Sequence, residues 1–404
     1  MKIILLATFL INCILLFAQN QTFKLKTGDW TAHLSLNEDD KVPFKFSVEK
    51  KKKSYQFSIY NAEEKIVLND IEYANDSVSA TFSEYNSKLI FKITPTELIG
   101  SWVNMSKKNA RIPFNATYGY TSRFDKKTTE NPLTVDGKWK VFFNPSSKSE
   151  FIAMGFFHQK DEAVTGTFLT ETGDFRFLEG NQFGKELLLS CFDGSHAYLF
   201  KATIENDSIF GRFLSGKSYE GTWKGKKDPA FELSDPYALT KVISTQPVEF
   251  TAKNLDGTDF HFPSDAYKNK VTILQIMGTW CPNCLDETRF YKELYEKYHD
   301  KGLEIIAIGF EAGEDVAVST AKLQKFKTRN GVDFTFVLGG SSNKKTASDL
   351  FPMVDGVKSF PTSFYIGKNG TIQKIYTGFN GPGTGIYYEK YVEETYKVIE
   401  GMLK

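Results

Sequence analysis

The stretch Gly278-Thr279-Trp280-Cys281-Pro282-Asn283-Cys284 decides how the C-terminal part of this chain is read. It follows directly on the apolar run Val271-Thr272-Ile273-Leu274-Gln275-Ile276-Met277, which has the look of a buried strand. Residues 285–301 read as a helix. The two cysteines therefore sit where a strand ends and a helix begins. At a helix N-terminus the first backbone N–H groups lack intrahelical partners, and the aligned peptide dipoles leave partial positive charge. A thiolate there is stabilised, its pKa falls, and it can attack disulfides near neutral pH. Cys284, one turn along, is placed to close the ring and release the product.

Working outward, Val248-Glu249-Phe250-Thr251-Ala252 runs as a strand into the turn Leu255-Asp256-Gly257. Leu303-Glu304-Ile305-Ile306-Ala307-Ile308-Gly309-Phe310 reads as a buried strand, and residues 315–331 as a helix. Phe334-Thr335-Phe336-Val337-Leu338 is a further strand. Phe364-Tyr365-Ile366 and Ile372-Gln373-Lys374-Ile375-Tyr376 flank Lys368-Asn369-Gly370, a hairpin signal. Residues 389–404 close the chain as an amphipathic helix. Strands and helices in this succession are those of a layered α/β sheet.

On these residues, the segment ~245–404 resembles the TlpA-like thioredoxin family, disulfide oxidoreductases of the bacterial cell envelope. The matching pieces are Phe250 with Leu255-Asp256-Gly257, the Trp280-Cys281-Pro282-Asn283-Cys284 centre, Glu287, and Phe360-Pro361-Thr362 followed by Phe364-Tyr365-Ile366. The resemblance implies a thioredoxin fold and a cis peptide bond before Pro361. It implies that Pro361 packs against the cysteines and that Phe360 offers backbone hydrogen bonds to a bound client. Cys281 and Cys284 would be the catalytic pair, with Glu287 as a proton acceptor beside them and Trp280 covering the sulfurs. The chain departs from the family at Thr288-Arg289, where a proline is common, in its Pro282-Asn283 pair, and at Phe360, where a small or β-branched residue is common before the proline.

Other readings of the pair are possible. Half of a zinc site would need a second Cys or His pair, and the chain has none. An inert structural disulfide fits poorly with the preceding Trp and the later Phe-Pro-Thr. Peroxide reduction would need a threonine and an arginine around the cysteine; Thr279 stands two residues before Cys281, but no arginine is obviously placed. Periodicity alone would make Glu287 an exposed helix carboxylate.

A length of 404 residues implies two or three domains. A net charge of +1 is too balanced for nucleic acid or an anionic membrane surface as partner. The five histidines show no metal-ligand spacing, and neither cofactor nor metal is expected. Met1-Lys2, the apolar residues 3–17 and polar Gln19-Asn20-Gln21 read as a signal peptide, residues 1–18, too short for a membrane span. Lipidation at Cys13 is set aside because Ile14-Leu15-Leu16-Phe17 is no polar tether. The expected compartment is the bacterial periplasm.

Residues 22–228 show no convincing helix. They contain short alternating runs such as Phe44-Lys45-Phe46-Ser47-Val48 and Ala163-Val164-Thr165-Gly166-Thr167-Phe168-Leu169. An aromatic content of 15% suits such strands. Gly28-Asp29-Trp30 and Gly100-Ser101-Trp102 bracket one unit; Gly137-Lys138-Trp139 and Gly221-Thr222-Trp223 bracket a second. Two barrel-like repeats, residues 22–125 and 133–228, are expected, although one larger β structure would show the same pattern. The tryptophans read more as core plugs than as ligand platforms. Cys191, near His196 across Asp193-Gly194-Ser195, reads as an inert core thiol. Lys344-Lys345 reads as a surface turn, and Gly378–Gly385 as a connecting loop. Residues 229–247 read as an extended linker with a short helical turn.

The sequence thus implies a multidomain protein, with an N-terminal all-β half of two barrel-like repeats and a C-terminal α/β thioredoxin fold at residues 248–404. The expected activity is disulfide exchange with client proteins, as a reductase fed by a membrane electron donor. The alternative is a periplasmic ligand- or client-binding, chaperone-like protein in which the β-rich half dominates.

Overall fold

Runs that alternate apolar and polar residues become antiparallel strands throughout the first half of the molecule. The structure, a computed structural model, describes residues 24–52, 54–74, 77–105, 110–126 and 129–404. The signal segment and Cys13 lie outside the described residues. The first sheet holds β1 (Gly28–Ser35), β2 (Lys41–Lys50), β3 (Tyr55–Asn61), β4 (Glu64–Leu68) and β5 (Ile71–Ala74). It continues with β6 (Ser77–Phe82), β7 (Ser87–Ile93), β8 (Glu97–Asn104) and β9 (Ala110–Tyr118). The order β4-β3-β2-β1-β9-β8-β7-β6-β5 is a meander whose edges, β4 and β5, share no ladder.

The second sheet holds β10 (Gly137–Phe143), β11 (Phe151–Lys160), β12 (Ala163–Thr170), β13 (Gly173–Asp174) and β14 (Leu178–Phe183). It continues with β15 (Glu186–Phe192), β16 (Ala197–Glu205), β17 (Ser208–Ser215) and β18 (Tyr219–Lys227). Here β11 pairs with both β10 and β12, and β18 returns to β10, so the longer strands close into a barrel. Its interior is aromatic, with Trp139, Phe143, Phe168, Phe200 and Trp223 fully buried.

The opening strands of the two sheets share a device. The Trp30 indole donates to the Lys26 carbonyl at 3.2 Å, and the Trp139 indole to the Val135 carbonyl at 2.7 Å, each four residues upstream. The closing tryptophans differ in place. Trp223 lies on β18, which pairs with β10; Trp102 lies on β8, with β9 inserted before β1. All four indoles are buried.

The two sheets share one core. Strand β15 turns Leu187, Leu189 and Cys191 into the barrel, while Phe192 inserts among Phe44, Phe82 and Trp102 of the first sheet. This explains the unbroken apolar run Leu187-Leu188-Leu189, since a strand covered on both faces has no reason to alternate. Gly194 stands where a Cβ would lie 2.0 Å from the Phe82 ring, so only glycine lets the turn approach. Cys191 is fully buried, and burial pushes its thiol well above the ordinary range.

The third sheet holds β19 (Phe250–Asn254), β20 (Asp259–Phe262), β21 (Val271–Met277), β22 (Leu303–Glu311), β23 (Thr335–Ser341), β24 (Thr362–Ile366) and β25 (Ile372–Thr377). Its order is β20-β19-β23-β22-β21-β24-β25, with β21, β22 and β23 parallel. The helices are α1 (Pro236–Leu239), α2 (Pro282–Tyr298), α3 (Val316–Asn330), α4 (Lys344–Leu350) and α5 (Ile386–Leu403). Residues of α2, α3 and α5 share a core with Ile273 and Ile305 on one face, while α4 covers Ile306 and Val337 on the other. Asp315 caps α3, and Gly331 ends it in the left-handed conformation. Two expectations change. Strand β20 was not foreseen, and Lys344-Lys345 opens helix α4, capped by Asn343, instead of forming a surface turn. Asparagine at that position supplies the N-cap that turns the segment helical.

The segment after β18 is laid along the third sheet. Helix α1 is capped by Asp235, and the Ile243 amide donates to the Met353 carbonyl at 2.8 Å. A second tie is ionic. Buried Arg176, just after β13, contacts Glu64 of the first sheet at 2.6 Å, Asp193 of the barrel at 3.6 Å and Asp286 of α2. Burial opposes its charge, but Asp286, Glu64 and Asp193 hold it firmly protonated. Arg176→Ala would remove the shared cation from Glu64, Asp193 and Asp286, the latter two buried. It should lower unfolding free energy by about 3–5 kcal/mol in urea titrations; a loss below about 1 kcal/mol would show that the node is not structural.

Candidate active site

Every residue of β21 is buried, and the strand ends against Gly278. A Cβ at Gly278 would lie 2.4 Å from the Trp280 indole nitrogen, so the chain can turn here only on glycine. Three residues later Cys281 becomes the N-cap of α2, with Pro282 in the first turn. The Cys284 amide donates to Cys281 Sγ at 3.2 Å. The sulfur therefore occupies the place of a capping oxygen and meets the positive end of the helix. The two cysteines are joined as a disulfide, with Cα atoms 5.2 Å apart. Cys284 is fully buried and Cys281 is 6% exposed.

The Phe360–Pro361 bond is cis. The Phe360 carbonyl oxygen lies 3.6 Å from Cys281 Sγ, and the Trp280 and Phe360 rings meet edge to face at 5.5 Å. Trp280 is 39% exposed, and its indole N–H donates to the Phe310 carbonyl at 2.9 Å. Cys281, Cys284, Trp280, Phe360 and Pro361 are thus gathered beyond the C-terminal end of β21 and just before β24, two interior strands of the third sheet.

Glu287 is placed differently from the exposed carboxylate that periodicity allows. It is fully buried. It accepts from Gln275 at 2.9 Å, Ser363 at 3.1 Å, Tyr391 at 3.1 Å and Tyr291 at 3.3 Å. Burial raises its pKa to about 7 against the pull of these donors. The same Gln275 amide and the Thr288 hydroxyl approach the Cys284 carbonyl, at 3.4 and 2.8 Å, linking the carboxylate to the helix turn that carries the cysteine.

Four polar residues around the pair escaped sequence reasoning. Buried Glu311 accepts from the Thr279 amide at 2.7 Å and hydroxyl at 2.8 Å, fixing the loop before the cysteines. Burial raises its pKa. Thr279 is thereby committed to a carboxylate, and Arg289 binds Asp286 at 3.3 Å. Asp286 holds Arg176, as above. Asp174, half-buried and shifted upward by desolvation, accepts from the Gly381 amide at 2.8 Å and from Asn283 at 3.3 Å. No local signal marks these residues, because their partners are distant in the chain. The segment Gly378–Gly385, expected as a plain loop, lies against the site: the Phe379 carbonyl accepts from Asn283 at 3.3 Å. Among the described residues no group of His, Cys, Asp and Glu is arranged to hold a metal ion, and no helix is long and apolar enough to cross a membrane.

The Redoxin family matches residues 224–391. The thiol-disulfide oxidoreductase ResA of Geobacillus thermodenitrificans is 34% identical over 137 residues, covering 34% of this chain and 70% of that protein. The chain belongs to the TlpA/ResA-like thioredoxin family. The ResA of Bacillus subtilis is 30% identical over 171 residues, 42% of this chain and 75% of that protein. Among solved structures, StoA of Bacillus subtilis aligns at 22% identity and a TM-score of 0.27, covering 38% of this chain and 99% of that one. The Redoxin match begins within β18, so nearly all of the β-rich half lies outside it.

The raised pKa of Glu287 has a definite consequence for this thioredoxin-like unit. The folded chain keeps this proton to higher pH than the unfolded chain. The contribution is therefore full below about pH 4.5 and is lost as pH rises through about 7. Glu287→Gln removes that loss. The stability of the variant relative to wild type should rise by up to about 3 kcal/mol across this window in urea unfolding. A difference independent of pH would contradict the assignment.

Proposed function

We propose that this chain is an exported reductase of client-protein disulfides, working through Cys281 and Cys284. The observation that carries the proposal is Cys281 Sγ standing as the N-cap of α2 beside the Phe360 carbonyl. The Cys281 thiolate attacks a client disulfide. A mixed disulfide forms and the client's second sulfur leaves as thiolate. Cys284, deprotonated, then attacks Cys281 Sγ and expels the client's first sulfur. The client gains two electrons and two protons, and the pair is left as the disulfide seen here. Another turnover needs a two-electron donor. For an exported protein, a membrane dithiol carrier fits that need.

Glu287, with its pKa near 7, is suited to take the proton of Cys284, directly or through one water. The reducing direction is favoured by the surrounding charge. Glu287, on the helix that carries Cys284, and Glu311, bound to Thr279 before Cys281, are buried acids, and among the described residues neither has a basic partner within ion-pair distance. In their ionised forms they oppose the thiolate and so oppose stabilisation of the reduced form, which is what makes a strong oxidant. Trp280, Phe360 and Pro361 would hold the client backbone. The N-terminal half is read as two copies of one unit, supported by the shared indole-to-carbonyl bonds of Trp30 and Trp139. The proposed boundaries remain residues 22–125, 133–228, 229–247 and 248–404, after a signal peptide at 1–18.

Two variants test the mechanism. In insulin reduction driven by dithiothreitol, Cys281→Ser should fall to the uncatalysed rate. Cys284→Ser should accumulate client mixed disulfides at Cys281, visible by non-reducing mass spectrometry. Normal turnover by Cys281→Ser would overturn the mechanism.

A further inference from the structure

The barrel closes one side of the active site. Its hairpin between β12 and β13 is clamped across the disulfide's flank. The Ser359 hydroxyl donates to the Thr172 carbonyl at 2.9 Å. Gly173 has φ +156° and leaves only 2.8 Å between its absent Cβ and the Asn283 amide nitrogen; Gly378, at φ +82°, makes a similar approach to the Thr172 backbone. Asp174 is bound to Gly381 and Asn283, and Arg176 anchors the hairpin's return. Cys281 therefore lines a cleft walled on one side by the barrel.

That cavity has a volume of about 480 Å³, within the size range of small-ligand sites. Cys281, Trp280 and Phe360 line it from the thioredoxin side, and Phe151, Phe175 and Tyr198 from the barrel. Phe151 is 37% exposed and Trp280 is 39% exposed, so aromatic faces stand uncovered around the reactive sulfur. His196 completes the barrel wall, its Nδ1 3.0 Å from the buried Asp193 carboxylate and its ring stacked on Tyr198 at 4.6 Å.

We infer that this cavity is a specificity subsite, built jointly by the barrel and the thioredoxin unit, for an aromatic or large apolar side chain beside the client's disulfide cysteine. The inference rests on the disulfide-exchange reading above. The occupant is an extended client segment, because the cavity is continuous with the sulfur that must be reached and its far wall is aromatic. A folded client surface would collide with the clamped hairpin. The barrel half thereby selects clients, which accounts for its attachment to a unit that already carries the chemistry.

The test uses the full mature chain and two otherwise identical disulfide-linked peptides, one with Phe and one with Gly next to the cysteine. The wild type should prefer the Phe peptide by about tenfold or more in kcat/KM, the scale of one apolar side chain entering a fitted pocket. Phe151→Ser and Tyr198→Ser should each pull that ratio toward unity. Thermal unfolding reports whether each variant is folded. Equal rates for the two peptides with wild type would overturn the subsite, without needing any variant. So would a preference that survives in both folded variants. Glutathione disulfide separates the two levels. If wild type exchanges with it but shows no peptide preference, only the subsite fails. If wild type exchanges with no disulfide, the reading beneath it fails too.

Discussion

Cys281 caps helix α2 with its sulfur, and the chemistry of the molecule depends on that placement. The cap requires a strand that ends one short turn before the helix, a glycine at 278 that lets Trp280 fold back, and a proline that starts the helix without wasting a donor. Each requirement is local. The surrounding sheet serves to hold β21 and α2 rigidly enough that the sulfur, the Phe360 carbonyl and the Cys284 amide keep their mutual distances. We propose that the buried acids Glu287 and Glu311 temper the helix's pull on a Cys281 thiolate, so that the reactivity of the pair is a balance between a helix end and two carboxyl groups.

The β-rich half enters this balance through one hairpin. Arg176 lies among carboxylates from three parts of the chain, and such a node is costly to break once it is buried. It fixes Asp174 and Thr172 against the thioredoxin unit. The first sheet contributes indirectly, by covering the outer face of β15 and supplying Glu64 to the node. Scaffold and site are therefore mechanically continuous, from Phe192 in the shared core to Asp193, His196 and the cavity wall.

Much of the redox unit was legible in the sequence because its signals are short-range. The cysteine spacing, the Asn-Gly turn at 369–370 and the helical run over 315–331 all rest on signals within a few residues. Glu287 was legible as a candidate but not as a buried group. Its cover is Tyr391, which α5 brings from 104 positions away, and helix periodicity cannot report a partner at that range. Asp174, Arg176 and Glu311 were silent for the same reason: each looks like an ordinary surface charge until the hairpin or strand carrying it is docked. The β half showed its strands through alternation, and its Gly-x-Trp spacing suggested two repeats. Closure of one sheet and opening of the other depend on ladder pairing, which spacing does not encode.

The reduction potential of the Cys281–Cys284 pair in the mature protein, by equilibration with dithiothreitol or glutathione, tests the central claim most directly. The balance described above predicts a value near that of thioredoxin, about −270 mV, as expected of a disulfide reductant. A value near about −120 mV, where strong oxidants lie, would mean that the helix end prevails over the carboxylates and that the protein donates disulfides.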